Sequence, residues 1–226
     1  MGAIITGNAM DKRLAREEAL NRLKSAPLGV RLANSAKTRK NLKRVLKALK
    51  PKSVLIYLPL PFEADLRALF PTLRRNKKLY FPLVEKISFK MVEYKLPLER
   101  QNISAPRRSG RKIEKVEVMI VPCLCVDAAF RRVGFGRGMY DRFVCTLQNR
   151  PIVIFVQPFF LRLTRVITDN WDIRGDFLVS AGGAIYNSRN LNDRKRRNRC
   201  CYGRNQRVFG VVYHPQDRAC ETRCES

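Results

Sequence analysis

Three short stretches restrict the fold more than anything else in this chain: "SVLIYL" (53–58), "VEVMIVP" (116–122) and "IVIFV" (152–156). Each is β-branched and close to continuously apolar, as a strand must be when both of its faces are buried. Such strands need a covering layer on either side, and the segments between them carry helical periodicity. Ala15, Ala19 and Leu23 fall at four-residue steps with Leu20 beside them, and Leu42, Val45, Leu46 and Leu49 repeat the pattern, so two amphipathic helices open the chain. A helix from Glu63 to about Arg74, a strand "LYFPL" (79–83), an alternating strand "FKMVEY" (89–94) and a helix from Tyr140 to Leu147 complete the order. Strands alternating with helices predict an α/β domain of three layers around a largely parallel, Rossmann-like sheet. "SAPRRSGRK" (104–112) reads as a surface loop.

At 226 residues the chain is long enough for one domain with a substantial core. Its composition is unusual only in sign: 46 Lys and Arg against 19 Asp and Glu give a net charge of +27. That surplus attracts polyanions without choosing among nucleic acid, anionic lipid and small phosphorylated molecules. After Gly182 the aliphatic residues thin out and "RKRRNRCCYGRNQR" follows, which reads as an appended basic tail over 182–226, expected to be disordered, with residues 1–10 an N-terminal extension and 11–181 the folded domain. The tail holds ten of the 46 basic and four of the 19 acidic residues, so the basic character belongs mostly to the domain. The apolar runs fall well short of the roughly 20 residues that cross a bilayer, and no stable membrane insertion is expected. "MGAIITGNAM" has neither the basic start nor the apolar centre of a secretory signal, so the expectation is a cytoplasmic protein and a monomer, with Met10 an alternative start. Seven cysteines, an odd number and irregularly spaced, suit free thiols; Cys123 and Cys125 at a strand end read as core fillers. Cys200, Cys201, His214, Cys220 and Cys224 follow no common zinc spacing.

"RRVGFGRGMYDRF" (131–143) carries the chemistry. Glycines at 134, 136 and 138 leave backbone N–H groups open to an anion, and a helix N-terminus just beyond adds its dipole. Arg132, Arg137 and Arg142 offer charge-assisted donors to phosphate oxygens, and Asp141 could hold a magnesium ion that bridges them. The same letters also describe a solvated basic turn whose glycines serve only tight geometry.

As a block, "VEVMIVPCLCVDAAFRRVGFGRGMYDRF" resembles the signature of the 5-formyltetrahydrofolate cyclo-ligase family, also called methenyltetrahydrofolate synthetases. The resemblance takes in "KRLAR", "YLPLPFEAD" and "DNWDIRGDFLVS" in order, over about residues 11–181. It implies an enzyme that uses ATP and Mg2+ to convert 5-formyltetrahydrofolate into 5,10-methenyltetrahydrofolate, with phosphorylation of the formyl oxygen, ring closure, and release of ADP and phosphate. By matching positions, Lys12, Arg16 and the run Arg132, Val133, Gly134, Phe135, Gly136, Arg137, Gly138, Met139 and Tyr140 resemble the ATP-binding residues. Arg16, Leu58, Glu63 and Phe135 through Met139 resemble those that meet the folate; Asp141 and Asp172 resemble the magnesium-associated aspartates. Arg137, Tyr140 and Asp141 are the expected catalytic set.

On their own letters these positions keep plainer alternatives. Lys12 and Arg16 could be a solvated helix face, Glu63 a carboxylate favoured at a helix start, and Asp172 the cap of a turn. The chain also departs from the family pattern, with Arg137 where lysine is common, Met139 for tyrosine, Ala15 for leucine, Ala105 where a Glu-Pro pair is common, and "AAF" after Asp127 without the frequent glycine turn. An arginine fork is not an ammonium point charge, so these changes bear on rate more than on ligand class. The competing function is a catalytically impaired member that binds folate, or that binds nucleic acid through its basic residues, although no aromatic RNA-binding signature is present.

Overall fold

The computed structural model describes residues 3–5, 11–85, 88–93, 99–101, 103–105, 113 and 115–187. In chain order its elements are β1 (Ala3–Ile5), α1 (Lys12–Ser25), α2 (Leu28–Leu49), β2 (Ser53–Leu55), a 3-10 turn (Arg67–Leu69) leading into α3 (Phe70–Asn76), β3 (Lys78–Glu85) and β4 (Ser88–Glu93). Then come β5 (Glu99–Gln101), β6 (Ile103–Ala105), β7 (Val118–Pro122), β8 (Cys125–Val126), β9 (Arg132–Val133), α4 (Met139–Val144), β10 (Ile152–Val156), β11 (Leu161–Leu163), β12 (Phe177–Ser180) and β13 (Gly183–Tyr186).

Among the described residues the main sheet has seven strands in the order β13-β12-β10-β7-β2-β3-β4. Pairings from β12 through β10, β7 and β2 to β3 are parallel, and antiparallel β13 and β4 close the two edges. Taken by first appearance, the parallel strands run 2-1-3-4-5, a doubly wound order whose direction reverses between β2 and β7. Alternate residues of each strand serve opposite faces, and both faces are covered, which is why the sequence alternates so little. Val118, Ile120 and Ile154 meet Leu42, Val45 and Leu46 of α2 and Phe70 and Leu73 of α3. Met119, Val121, Val153 and Phe155 meet Phe143 of α4 together with Phe130 and Ile173.

A second, four-stranded sheet, β1-β11-β8-β9, carries α1. Asp11 starts that helix by accepting the Leu14 N–H at 2.7 Å. Ala15 and Ala19, too small to hold the helix away, pack with Leu23 on Leu124, Cys125, Val133, Leu161 and Leu163. Cys123 and Cys125 are both buried core fillers, and burial raises both thiols, Cys125 to about 12.

Four expectations need adjustment. No helix begins at Glu63: the chain turns there, and α3 starts at Phe70 because Pro71 suits only a first turn and bars helix from continuing through it. The expected Tyr140 to Leu147 helix is shorter, Met139–Val144. The sheet also continues past the expected domain end at 181, since β13 pairs antiparallel with β12 and the Asn187 N–H donates to the Asp176 carbonyl at 2.9 Å. Ser104 and Ala105, expected in a loop, lie in β6, while 106–112 and the cysteine-containing tail lie outside the described residues. Among the described residues no helix is long and apolar enough to cross a membrane.

Candidate functional site

In a doubly wound sheet the chain segments that leave adjacent strands on either side of the reversal diverge, and the crevice between them takes ligands. Here the segment leaving β2 carries Leu58 and Glu63, and the segment leaving β7 carries the glycine loop. The third contributor is the turn over 169–173, and the fourth is the start of α1. All four arrive from distant parts of the sequence.

The first turn of α1 presents Lys12 and Arg16 on one side, four residues apart. Lys12 Nζ donates to Asp169 Oδ2 at 2.6 Å and pairs with the Asp172 carboxylate as well. Burial opposes the charge on Lys12, but the hydrogen bonds to the two aspartates outweigh it and hold its pKa above the usual lysine value. Arg16 Nε donates to the Gly134 carbonyl at 2.8 Å, so the helix is tied to the glycine loop across 118 residues of sequence. In the loop, Gly136 (φ +96°) and Gly138 (φ +57°) occupy left-handed backbone that L side chains rarely adopt, so the glycines are required by conformation as well as by space.

Arg132, on β9, is 7% exposed. Its Nη2 donates to Asp141 Oδ2 at 2.7 Å, its guanidinium lies 5.3 Å from the Tyr140 ring centroid, and its Nε has no hydrogen-bond partner among the described residues. A buried, unpartnered N–H of a cation is costly, and an anion arriving at that spot would relieve the cost. Asp141 is a clamp: its other oxygen accepts the Ile173 N–H at 3.0 Å, so one carboxylate joins the glycine loop to the 169–173 turn. Asp172 shapes that turn by accepting the Asp169 N–H at 2.7 Å, so the plainer reading of Asp172 holds alongside its pairing with Lys12.

Glu63 folds back to accept the Leu60 N–H at 2.8 Å. Burial raises its pKa to about 7, against the opposing pull of the Leu60 N–H and of Arg132. Tyr140 rises well above the usual tyrosine value, first through burial and then through the Glu63 charge, so its hydroxyl stays protonated. Glu63, Arg132 and Tyr140 therefore sense one another across the crevice, although they do not hydrogen-bond. Leu58 is half-buried against the core. Met139 and Tyr140 rest on the core cluster beside Phe143, and the Tyr140 ring meets Phe89 edge-on at 4.9 Å. Val133 turns its side chain into the core under α1 and gives its carbonyl to the Leu124 N–H, so it supports the loop rather than offering a side chain to a ligand. Phe135 is 40% exposed at the crest of the loop.

Two residues that matter to this arrangement have no role in the sequence reading. Asp169 shares Lys12 with Asp172 and was visible only as the first letter of "DNWD". Asp127 is fully buried; its oxygens accept the Arg131, Ile167 and Thr168 N–H groups and the Thr168 hydroxyl, fastening the 165–168 segment under the loop.

The sequence model of the 5-formyltetrahydrofolate cyclo-ligase family matches residues 8–176. A 5-formyltetrahydrofolate cyclo-ligase of Escherichia coli (strain K12) is 30% identical over 108 residues, 43% of this chain and 58% of that protein, so the match spans little more than half of the relative's length. The Mycoplasma genitalium cyclo-ligase is 25% identical over 134 residues, 58% of this chain and 73% of its own. The NMR structure of Aquifex aeolicus 5,10-methenyltetrahydrofolate synthetase superposes with a TM-score of 0.66 at 27% identity, covering 78% of this chain and 93% of that one. A Mycoplasma pneumoniae 5,10-methenyltetrahydrofolate synthetase shares the fold, with a TM-score of 0.61 at 19% identity over 76% of this chain and 99% of its own. The matched segment runs from before α1 through both crevice loops to the turn that Asp141 clamps, and on that ground the chain belongs to the 5-formyltetrahydrofolate cyclo-ligase family.

Proposed function

We propose that this protein converts 5-formyltetrahydrofolate and ATP into 5,10-methenyltetrahydrofolate, ADP and phosphate. The observation that carries this reading is the buried Arg132 with its free Nε, held by Asp141 beside a glycine loop that Arg16 pins open. This is a cradle for phosphate, placed at the reversal point of the sheet where Glu63 can meet a second ligand.

In the reaction the formyl oxygen attacks the γ-phosphorus and ADP leaves. The second folate nitrogen then adds to the formyl carbon, phosphate departs with the former formyl oxygen, and that nitrogen gives up its proton. Phosphoryl transfer of this kind asks a protein chiefly for alignment and for charges that meet the negative charge on the moving group. Arg132 and Arg137 supply those charges, and Lys12 and Arg16 hold the nucleotide from the α1 side. The Gly134 to Gly138 backbone lets the phosphates approach. Tyr140, kept protonated by burial, has a hydroxyl proton to donate. Glu63, as a carboxylate, accepts paired pterin N–H groups, while Leu58 and Phe135 cover the ring.

Magnesium ordinarily takes one or two carboxylates and completes its shell with phosphate oxygens and water. Among the described residues no group of three or more His, Cys, Asp or Glu side chains is gathered as an all-protein site. Asp169 and Asp172, drawn onto the single cation Lys12 Nζ, are instead a donor set of the sparse kind this ion uses with nucleotides. Asp172, with Asp141 bonded to the same turn, would hold it. Bound there, the ion would screen the charge of the phosphates. The test is to mix purified protein, Mg-ATP and 5-formyltetrahydrofolate and follow the absorbance of the methenyl product. Product formed only with ATP, and abolished by a chelator, supports the assignment; no product with protein shown to be folded overturns it.

A further inference from the structure

The large hydrophobic side chains left open to solvent include three on the loops that build the crevice: Leu60 at 44%, Phe135 at 40% and Trp171 at 75% exposure. Leu60 lies between the folate-facing Leu58 and Glu63, and Phe135 is itself assigned to the folate ring. Trp171 has no such role, and its indole is the most exposed large hydrophobic side chain among the described residues, although it sits on a turn that the fold holds in place. The turn is indeed tied down on both sides of it. Asp169 and Asp172 share Lys12, the Asp172 N–H donates to the Asp169 carbonyl at 3.1 Å, and the Asp169 N–H donates to the Asp172 carboxylate. One residue further on, Ile173 is held from both sides, its N–H by Asp141 and its carbonyl by the Arg132 N–H. The turn around Trp171 is thus fixed to the phosphate cradle by four contacts, two through Lys12 and two through Ile173, yet the Trp171 side chain is not drawn into the core. Ile173 is buried in the core below, so the exposed position belongs to the indole alone and not to the whole turn.

Resting on the proposed function, we infer that Trp171 is the stacking platform for the purine base of the nucleotide. The phosphate end of the crevice is the end where Lys12, Arg132, Asp141 and Asp172 meet. A base is joined to its phosphates by one ribose, so a flat apolar ring anchored beside them is within the nucleotide's own reach. The pterin has its polar partner in Glu63, on the segment leaving β2, whereas the turn bearing Trp171 is fastened to α1 and the glycine loop. An indole offers the largest π-face of any side chain, and stacking on it positions a base without requiring hydrogen bonds to the base.

Trp171 is the only tryptophan in the chain, so intrinsic tryptophan emission reports on this position alone. Mg-ATP should change that emission in a saturable way, at concentrations matching its KM, and inorganic tripolyphosphate, which lacks a base, should not. Trp171→Ala should raise the KM for ATP about tenfold, the scale of one lost base stack, while kcat and the KM for 5-formyltetrahydrofolate stay within about twofold. Trp171→Phe should recover most of the loss. An unchanged KM for ATP in Trp171→Ala, an increase in the folate KM instead, or an equal emission change with tripolyphosphate would overturn the inference. ATP binding seen by calorimetry with unaltered emission would sink it while leaving the proposed function intact; no ATP binding and no methenyl product would remove both.

Discussion

Between α2, α3 and the main sheet, Leu42, Val45, Leu46, Phe70 and Phe81 pack almost without polar atoms. Between α1 and the loops after β7, by contrast, the contacts run from Lys12 to Asp169 and Asp172, from Arg16 to the Gly134 carbonyl and from Arg132 to Asp141. Apolar contact is non-directional and scales with the area removed from water, so the first region resists change in proportion to the volume altered. Buried charge pairs return little net stability because both partners give up water, but each fixes a geometry and fails sharply when one member is removed. The first region therefore stabilises the fold, and the second sets positions at a cost in stability.

Substitutions on the two sides should separate those roles. The largest effect is expected for Phe81→Ala: Phe81 is fully buried and meets Phe70 edge-on at 4.9 Å, and its removal should cost about 3–5 kcal/mol in denaturant unfolding. Turnover per folded molecule should be little altered; a large fall in kcat would mean that the two regions are not independent. Asp141→Asn removes the charge from the clamp and keeps its shape, so kcat should fall about 100-fold, while the buried Arg132 left without its counter-charge should cost the fold about 1–3 kcal/mol, less than Phe81→Ala. A melting shift as large as that of Phe81→Ala would place Asp141 with the structural core.

Gly134→Ala is a subtler break. A methyl at that position would land on Arg132 Nη1, and the guanidinium would have to leave its pairing with Asp141. The KM for ATP should rise roughly tenfold, about one charge-assisted hydrogen bond, with the folate KM spared.

The smallest effect concerns pH. Burial lifts Glu63 from 4.5 to about 7. An acid whose folded value is raised adds its contribution fully below the unfolded value and loses it as pH climbs through the folded value. Glu63→Gln should therefore match the wild type in thermal stability near pH 5 and exceed it by a few degrees near pH 8. Folate binding should run the other way in the wild type, weakening as pH falls through about 7 and the carboxylate gains a proton, and should be weaker but flat with pH in the amide variant. A wild-type folate KM that does not change with pH would remove Glu63 from the pterin.

Much of the fold was legible because its signals are local. "IVIFV" is β10 residue for residue, and Ala15, Ala19 and Leu23 bury the face of α1 that their spacing indicated. Where one local signal misleads, another competes with it: Pro71 sets the start of α3, and β13 follows an Ala181-Gly182 turn that reads as the end of the domain. The first half of α2 was missed because Leu28, Val30 and Leu32 lie exposed and blur its helical period.

The sequence by itself determined the layers, the glycine backbone at 134–138 and the residue types that suit phosphate, because periodicity, conformational freedom and charge are properties of neighbours along the chain. Only the tertiary structure decided that Lys12 answers Asp169 across 157 residues and that Asp141 clamps Arg132 to the turn at Ile173. Those pairings follow from the order in which five parallel strands lie side by side. That order depends on crossovers and burial summed over the whole domain, which no short stretch of residues encodes.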